Sequence, residues 1–394
     1  MPPDPDSESA RRARRRADAR FRRRRRTALV IAVVVAAVLG LTAGILAGGG
    51  SDGADPAPAP PPDPLAALTA GELAGQRLVA GFDGTEPPKG LLRMLADGGL
   101  AGVILFEDNF TGDRADTRMT AELQRAAGRA PLDAPLLVMT DQEGGQVKRL
   151  PGPPSASAAE MAQRGPGYAR EQGRATAKSL LGAGVNVDLA PVLDLARPGA
   201  AIAAEERSFG ARPEEVIATG VDGFAAGLRD GGVAAAAKHF PGLGGAATNT
   251  DFAAQAIDLP AAALRNADMA PFAAFAEGGG ELVMLGLATY PALSRRPAAL
   301  APEIATGELR GRLGFTGVSI TDSLDATAAQ AWGDRDEVAL AAAGAGSDLL
   351  LYGDWRTASA AGDALVRALR RGRLDRAAFE SSAERVAALR GSLG

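Results

Sequence analysis

From residue 65 onward, short apolar runs that stop at Gly or polar residues alternate with longer Ala-rich stretches. That is the pattern of repeated β-α units. Eight such runs stand out, at residues 77–82, 102–107, 135–140, 185–191, 233–240, 282–290, 317–321 and 347–352. Most intervals are roughly 25 to 50 residues, enough for a crossover helix and a loop, and eight parallel strands close into a (β/α)8 TIM barrel. A doubly wound open sheet is the alternative. It would more often carry a Gly-rich phosphate turn after its first strand, and Phe82-Asp83-Gly84 is not one. Gly242-Leu243-Gly244-Gly245 lacks that motif's spacing and follows the fifth run. Residues 357–393 read as two Ala- and Arg-rich helices expected to cover the outside of the barrel. The pattern thus predicts one barrel domain over 65–394.

The first 64 residues follow a different pattern. Residues 27–48 form an uncharged run rich in Val, Ala, Leu and Ile, about the 20 residues that a helix needs to cross a hydrocarbon core. This predicts a transmembrane helix or signal anchor preceding the barrel. Five consecutive arginines, Arg22 to Arg26, flank its start. The positive-inside rule sets that leader, residues 1–26, in the cytoplasm and the C-terminal domain outside. A cleaved signal peptide is the other reading, since small residues near Ala43 to Gly50 can form a processing site. The domain is exported either way. Residues 49–64 are nearly all Gly, Asp, Ala and Pro, a linker of extended polyproline character.

Charge and composition narrow the chemistry. Residues 1–26 carry eleven Arg against four acidic residues, a net +7 that leaves the remainder at −11 within the total of −4. A domain so acidic lacks the basic stripe that nucleic acid requires. No cysteine is present, so disulfides and thiolate nucleophiles are excluded, and His239 is the one imidazole, too little for a transition-metal cage. No metal or cofactor is implied. The reactive groups must be carboxylates, hydroxyls and cations.

Barrel active sites lie at the carboxyl ends of the strands, and four of the eight runs end in ionisable residues. The third runs into Asp141-Gln142-Glu143-Gly144-Gly145 and on to Arg149. The fourth supplies Asp188 and Asp194, followed by Glu205-Glu206-Arg207-Ser208-Phe209. The fifth ends in Lys238-His239-Phe240-Pro241-Gly242, and the seventh in Thr321-Asp322-Ser323-Leu324-Asp325. Carboxylates and cations gathered at one face suit a hydroxyl-rich ligand held by charge-assisted hydrogen bonds, and a carboxylate can attack an anomeric carbon. Plainer roles stand beside these. Asp322 can cap a helix over 323–329, Glu143 and Arg149 can form a surface bridge, and Asp194 can brace its loop. Side-chain alternation along a strand turns one of Lys238 and His239 inward.

These residues resemble family 3 glycoside hydrolases, specifically the single-domain bacterial β-N-acetylglucosaminidases (β-N-acetylhexosaminidases). The resemblance runs from about residue 65 to the C-terminus. Five stretches carry it in the family's order: Asp141-Gln142-Glu143-Gly144-Gly145, Leu189-Ala190-Pro191-Val192-Leu193-Asp194, Arg207-Ser208-Phe209-Gly210, Lys238-His239-Phe240-Pro241-Gly242 and Thr321-Asp322-Ser323-Leu324. It implies that Asp322 is the nucleophile of a retaining glycosidase. It also implies that Asp141, Arg149, Arg207, Lys238 and His239 contact the sugar, with a carbohydrate containing N-acetylglucosamine as substrate.

The chain departs from the family in the loop after Lys238 to Gly242. Where relatives carry an Asp-x-His pair whose His is the general acid and base, this sequence has Asn249-Thr250-Asp251. Leu243 and Leu287 also stand where relatives usually have His, which implies a less polar site. Three readings follow. Asp251 acts as the acid, which requires that burial or the charge of Asp322 keep it protonated; another carboxyl such as Glu206 reaches the site; or the domain binds glycan without turning it over. Asn249 can only orient Asp251 or the substrate. A separate chemistry, a Schiff base at Lys238, requires a lowered ammonium pKa, against which the neighbouring carboxylates act.

Overall fold

The computed structural model describes residues 65–112 and 114–393. The basic leader, the apolar run 27–48 and the linker 49–64 lie outside the described residues. Among the described residues no helix is long and apolar enough to cross a membrane.

The eight apolar runs do form eight parallel strands: β1 (Leu78–Ala80), β2 (Gly102–Ile104), β3 (Leu137–Thr140), β4 (Val187–Asp188), β5 (Ala234–Phe240), β6 (Leu282–Leu285), β7 (Val318–Thr321) and β8 (Leu350–Tyr352). The sheet runs continuously from β7 through β6, β5, β4, β3, β2 and β1 to β8. A parallel bridge between Ile320 and Leu349, with Thr321 N donating to Leu349 O at 2.9 Å, joins its two ends. The result is a nearly closed TIM-like barrel. The strands are shorter than the apolar runs. The sixth run splits, its end Thr289–Tyr290 pairing antiparallel with Ser294–Pro297, and Gln142–Gly144 forms a second small ribbon with Val147–Lys148.

Period-two alternation divides the strand side chains. Val79, Ile104, Leu137, Met139, Val187, Leu189, Ala236, Leu282, Met284, Val318, Ile320 and Leu351 fill the barrel interior. Leu78, Val103, Val138, Ala235, Ala237, Val283 and Leu285 face the surrounding helices. Those strands are buried on both faces, which explains why they read as continuous apolar runs.

Local signals set the helix starts. Ser157 and Glu160 form a reciprocal capping box on Ala158–Arg164, and Pro166 opens Pro166–Gly182 from the first turn. The latter helix packs on the helical run 213–230 through facing glycines. A Cβ at Gly173 would lie 2.3 Å from Phe224 O, and one at Gly227 would lie 2.3 Å from Arg170 O, so only glycine permits this approach.

The two terminal helices do not both cover the barrel's flank. Trp355–Arg370 packs on β1 and β8 as expected. Arg376–Ser392 instead closes the N-terminal end, where Val386 and Leu389 join the interior cluster. Arg390, 1% exposed, donates from Nε to Pro135 O at 2.8 Å and from Nη2 to Ala134 O at 2.7 Å, and pairs with Gln76. Arg385 reaches Asp348 Oδ1 at 2.8 Å. At that end the arginines of the last helix thus satisfy the carbonyls of Ala134 and Pro135 and the Asp348 carboxylate. Polar pairing at one end leaves the other end open.

Candidate active site

The open end is a cavity of about 290 Å3 lined by Asp141, Glu143, Arg149, Arg207, Lys238, His239, Asn249, Asp251, Asp322 and Ser323, with Ile104, Phe106, Val147, Leu189, Met284 and Leu351 as its apolar wall. Asp322, Asp251, Asp141, Arg149, Arg207, Lys238 and His239, which come from five separate stretches of sequence, therefore meet in one place. Each arrives on a loop or strand end at the carboxyl side of the sheet, where parallel strands direct their outgoing segments.

A buried ion network forms one wall. Glu143 accepts from Lys238 Nζ at 2.6 Å and takes Arg207 in a fork, with Nε at 2.8 Å and Nη2 at 2.9 Å. Lys238 Nζ also lies 2.5 Å from Asp141 Oδ1, and Arg207 Nη1 donates to Glu205 at 3.1 Å. Burial by itself would raise Glu143, but Lys238 and Arg207 outweigh it and hold the carboxyl down at about 2. Burial likewise works to lower Lys238, and Asp141 and Glu143 overcome it, raising the ammonium above its ordinary value. A lysine so held stays charged at neutral pH, which removes the Schiff-base reading. The surface bridge between Glu143 and Arg149 does not form. Arg149 instead approaches Asp141, Nη2 to Oδ2 at 3.9 Å, while Glu143, 5% exposed, is the hub that a reading of the residues in order missed.

Both Lys238 and His239 line the cavity, where alternation predicts only one. The register of β5 on β6 shifts between Ala237 and Phe240, so one extra residue on β5 breaks the alternation at these two positions. The Lys238–His239 peptide bond is cis. Asp194 braces this corner: its carboxylate accepts from His239 N at 3.2 Å, meets His239 Nδ1 at 2.7 Å and accepts from Leu243 N at 2.6 Å. With Asp194 on Nδ1, the other imidazole nitrogen is the one free to meet a ligand.

Asp322 follows β7 directly. Its amide donates to Leu285 O at 2.9 Å, and Oδ1 accepts from Ser323 N at 2.8 Å. It caps no helix, because the next one begins at Thr327 with Ala326 as its N-cap. Burial is the largest influence on its carboxyl and raises it, Asp251 adds to the rise, and the charge of His239 opposes both.

The loop carrying Asp251 is tied down on three sides. Tyr290 OH donates to Gly242 O at 3.0 Å, Ile257 N to Thr289 O at 2.8 Å, and Thr327 N to Asp251 O at 3.2 Å. Gly244 runs against the preceding loop so closely that a Cβ would fall 2.0 Å from Leu195 O. Asn249 holds Asp251 in both directions, Nδ2 donating to Asp251 Oδ2 at 3.1 Å and Oδ1 accepting from Asp251 N at 3.0 Å. Asp251 itself is exposed.

Other expectations are corrected. Glu206 points to Ser157, whose hydroxyl donates to it at 3.2 Å, and does not line the cavity. Leu243 and Leu287 are 3% and 1% exposed and belong to the hydrophobic core. They therefore do not make the pocket less polar, since neither reaches it. The apolar wall went unseen in the sequence because Phe106, Val147 and Met284 look like ordinary strand or turn residues until the barrel brings them to its mouth.

A parallel barrel whose open end gathers carboxylates, cations and one imidazole around a pocket of this size has the layout of a barrel enzyme acting on a small polar ligand. Comparison with known proteins makes this specific. Residues 75–389 match the glycosyl hydrolase family 3 N-terminal domain. A protein of Arthroderma benhamiae named as an uncharacterized secreted glycosyl hydrolase is 36% identical over 340 residues, 84% of this chain and 96% of its own. A β-hexosaminidase of Alkalilimnicola ehrlichii is 35% identical over 285 residues, 70% of this chain and 79% of its own. The solved family 3 β-N-acetylglucosaminidase of Paenibacillus sp. str. FPU-7 superposes with a TM-score of 0.78 at 32% identity, over 83% of this chain and 63% of that longer one. The chain belongs to glycosyl hydrolase family 3, a family of enzymes that hydrolyse O-glycosyl bonds.

Proposed function

We propose that the chain is an exo-acting, retaining β-N-acetylhexosaminidase with Asp322 as nucleophile and Asp251 as general acid and base. The observation that carries this reading is that Asp322 and Asp251 share one cavity with the Asp141, Arg149, Arg207, Lys238 and His239 cluster. About 290 Å3 suits roughly one sugar ring, which favours removal of a terminal residue. The names of the relatives supply the N-acetylhexosaminide.

In the first step the Asp322 carboxylate bonds to C1 and the glycosidic C1–O bond breaks. Asp251 gives its proton to the departing oxygen. In the second step Asp251, now a carboxylate, takes a proton from water as the water oxygen attacks C1 and Asp322 leaves. Asn249 aims the carboxyl. The cationic side chains grip ring hydroxyls through charge-assisted hydrogen bonds.

The test is trapping with a 5-fluoro N-acetylglucosaminyl fluoride and peptide mass spectrometry. The expected result is an adduct on Asp322 in the parent and none in Asp322→Ala. Calorimetric binding of N-acetylglucosamine with no adduct and no turnover at any pH would instead identify a glycan-binding protein on the same barrel, the reading that the missing imidazole and the exposure of Asp251 favour. The segment 27–48 after its arginine run supports an extracytoplasmic enzyme, held as a single-pass membrane protein or released after cleavage, acting on cell-wall-type glycans. Fractionation with N-terminal sequencing of the mature protein separates anchor from cleaved signal.

A further inference from the structure

Among the described residues only three large apolar side chains are exposed, Leu181, Phe252 and Trp332, and Phe252 leads at 76%. An exposed aromatic forgoes roughly 2 kcal/mol of burial, so its position matters. Phe252 closes a turn, its amide donating to Asn249 O at 3.1 Å, and the first and third residues of that turn, Asn249 and Asp251, line the cavity. The pocket's acidic edge and the bare phenyl ring are thus consecutive. Trp332 belongs to the neighbouring segment. Thr327 N and Ala328 N donate to Asp251 O and Thr250 O, both at 3.2 Å, and Trp332 lies a few residues beyond, with the Arg296 guanidinium 6.0 Å from its ring centroid.

We propose that Phe252, with Trp332 in the segment hydrogen-bonded to its turn, is a stacking platform for the sugar on the leaving-group side of the scissile bond. The inference rests on the glycosidase reading and extends it from the ring that is cleaved to the ring that departs. The cavity has room for about one ring, so the leaving sugar of any oligosaccharide must lie outside it, against whatever borders the general acid. The next residue after Asp251 in that turn is the exposed Phe252. A β-linked pyranose with equatorial substituents presents a face of axial C–H bonds, and a flat aromatic ring buries that face without demanding hydrogen bonds. The ligand class is therefore a β-linked hexosamine or hexose oligosaccharide. Contacts to a remote sugar act on turnover by fixing the leaving oxygen beside Asp251.

The experiment compares kcat/KM on di-N-acetylchitobiose with kcat/KM on β-N-acetylglucosaminyl fluoride, whose one-atom leaving group reaches no platform and needs no general acid. Phe252→Ala is expected to lower the ratio of the two about tenfold, Trp332→Ala to lower it less, and Phe252→Tyr to preserve it. The solvent-facing ring leaves these variants folded, which circular dichroism verifies. An unchanged ratio in Phe252→Ala while the parent cleaves both substrates overturns the platform and leaves the glycosidase reading intact. Self-association of the parent that disappears in Phe252→Ala, with the ratio unchanged, reassigns the ring to a contact between copies. A parent that cleaves neither substrate overturns the glycosidase reading, and the platform falls with it.

Discussion

Replacing Glu143 by Gln keeps the size of the side chain but removes the charge that Lys238 and Arg207 share. The carboxylate is nearly inaccessible and accepts three charge-assisted hydrogen bonds, at 2.6, 2.8 and 2.9 Å. Its displacement from 4.5 to about 2 corresponds to roughly 3 kcal/mol. Removing one member of a buried ion pair independently suggests about 3 to 5 kcal/mol, because the two cations left behind stay desolvated. Since the folded-state value lies below the unfolded one, this stabilisation is complete above about 4.5 and is lost as pH falls toward about 2. Urea unfolding of parent and Glu143→Gln across that window reads both effects. The expected result is a loss of about 3 kcal/mol at pH 7, with the gap narrowing as the solution is acidified. A loss under about 1 kcal/mol, the range of an exposed pair, with parallel pH profiles, would refute the view of Glu143 as the hub of a buried network.

Asp322→Asn is expected to abolish turnover and raise the thermal midpoint at pH 7. Burial raises the folded-state carboxyl, so its stabilising contribution is present below 3.8 and lost as pH climbs through the folded value; the gain should therefore vanish below pH 3.8, and a variant less stable than the parent at pH 7 would contradict the burial. Asp251→Ala should lower kcat/KM on an unactivated β-glycoside by about 10²–10⁴ and much less on the glycosyl fluoride, and equal losses on both would count against Asp251 as the acid. Because burial raises the Asp322 carboxyl and the nucleophile must be ionised, the acid limb of the rate profile should lie above the ordinary 3.8 of an aspartate; an acid limb at or below that value would contradict a buried nucleophile. Arg390→Met strips donors from Ala134 O and Pro135 O at the closed end of the barrel and should cost roughly 2 to 4 kcal/mol in urea while kcat stays at the parent value.

The order of apolar runs was enough to predict eight parallel strands, because strands covered on both faces need no polar alternation and each crossover needs a helix-length interval. The polar residues that end those runs were equally legible, since strand direction dictates which end of the barrel receives them, and Asp141, Lys238, His239 and Asp322 all reach the cavity. Pairing was not legible. Glu143 and Arg207 are 64 residues apart in the chain, and nothing in their local sequence distinguishes a buried fork from two solvated side chains; only barrel closure brings their strand ends together and removes the water between them. The inward turn of both Lys238 and His239 likewise depends on a register shift between neighbouring strands, a property of the pair that neither strand carries alone. Leu243 and Leu287 pack into the core and never reach the pocket, while Phe252 stays in solvent beside Asp251. Hydrophobicity is a property of a residue and is written in the chain, but burial depends on what the rest of the fold lays over it, and that was decided only when the loops had packed.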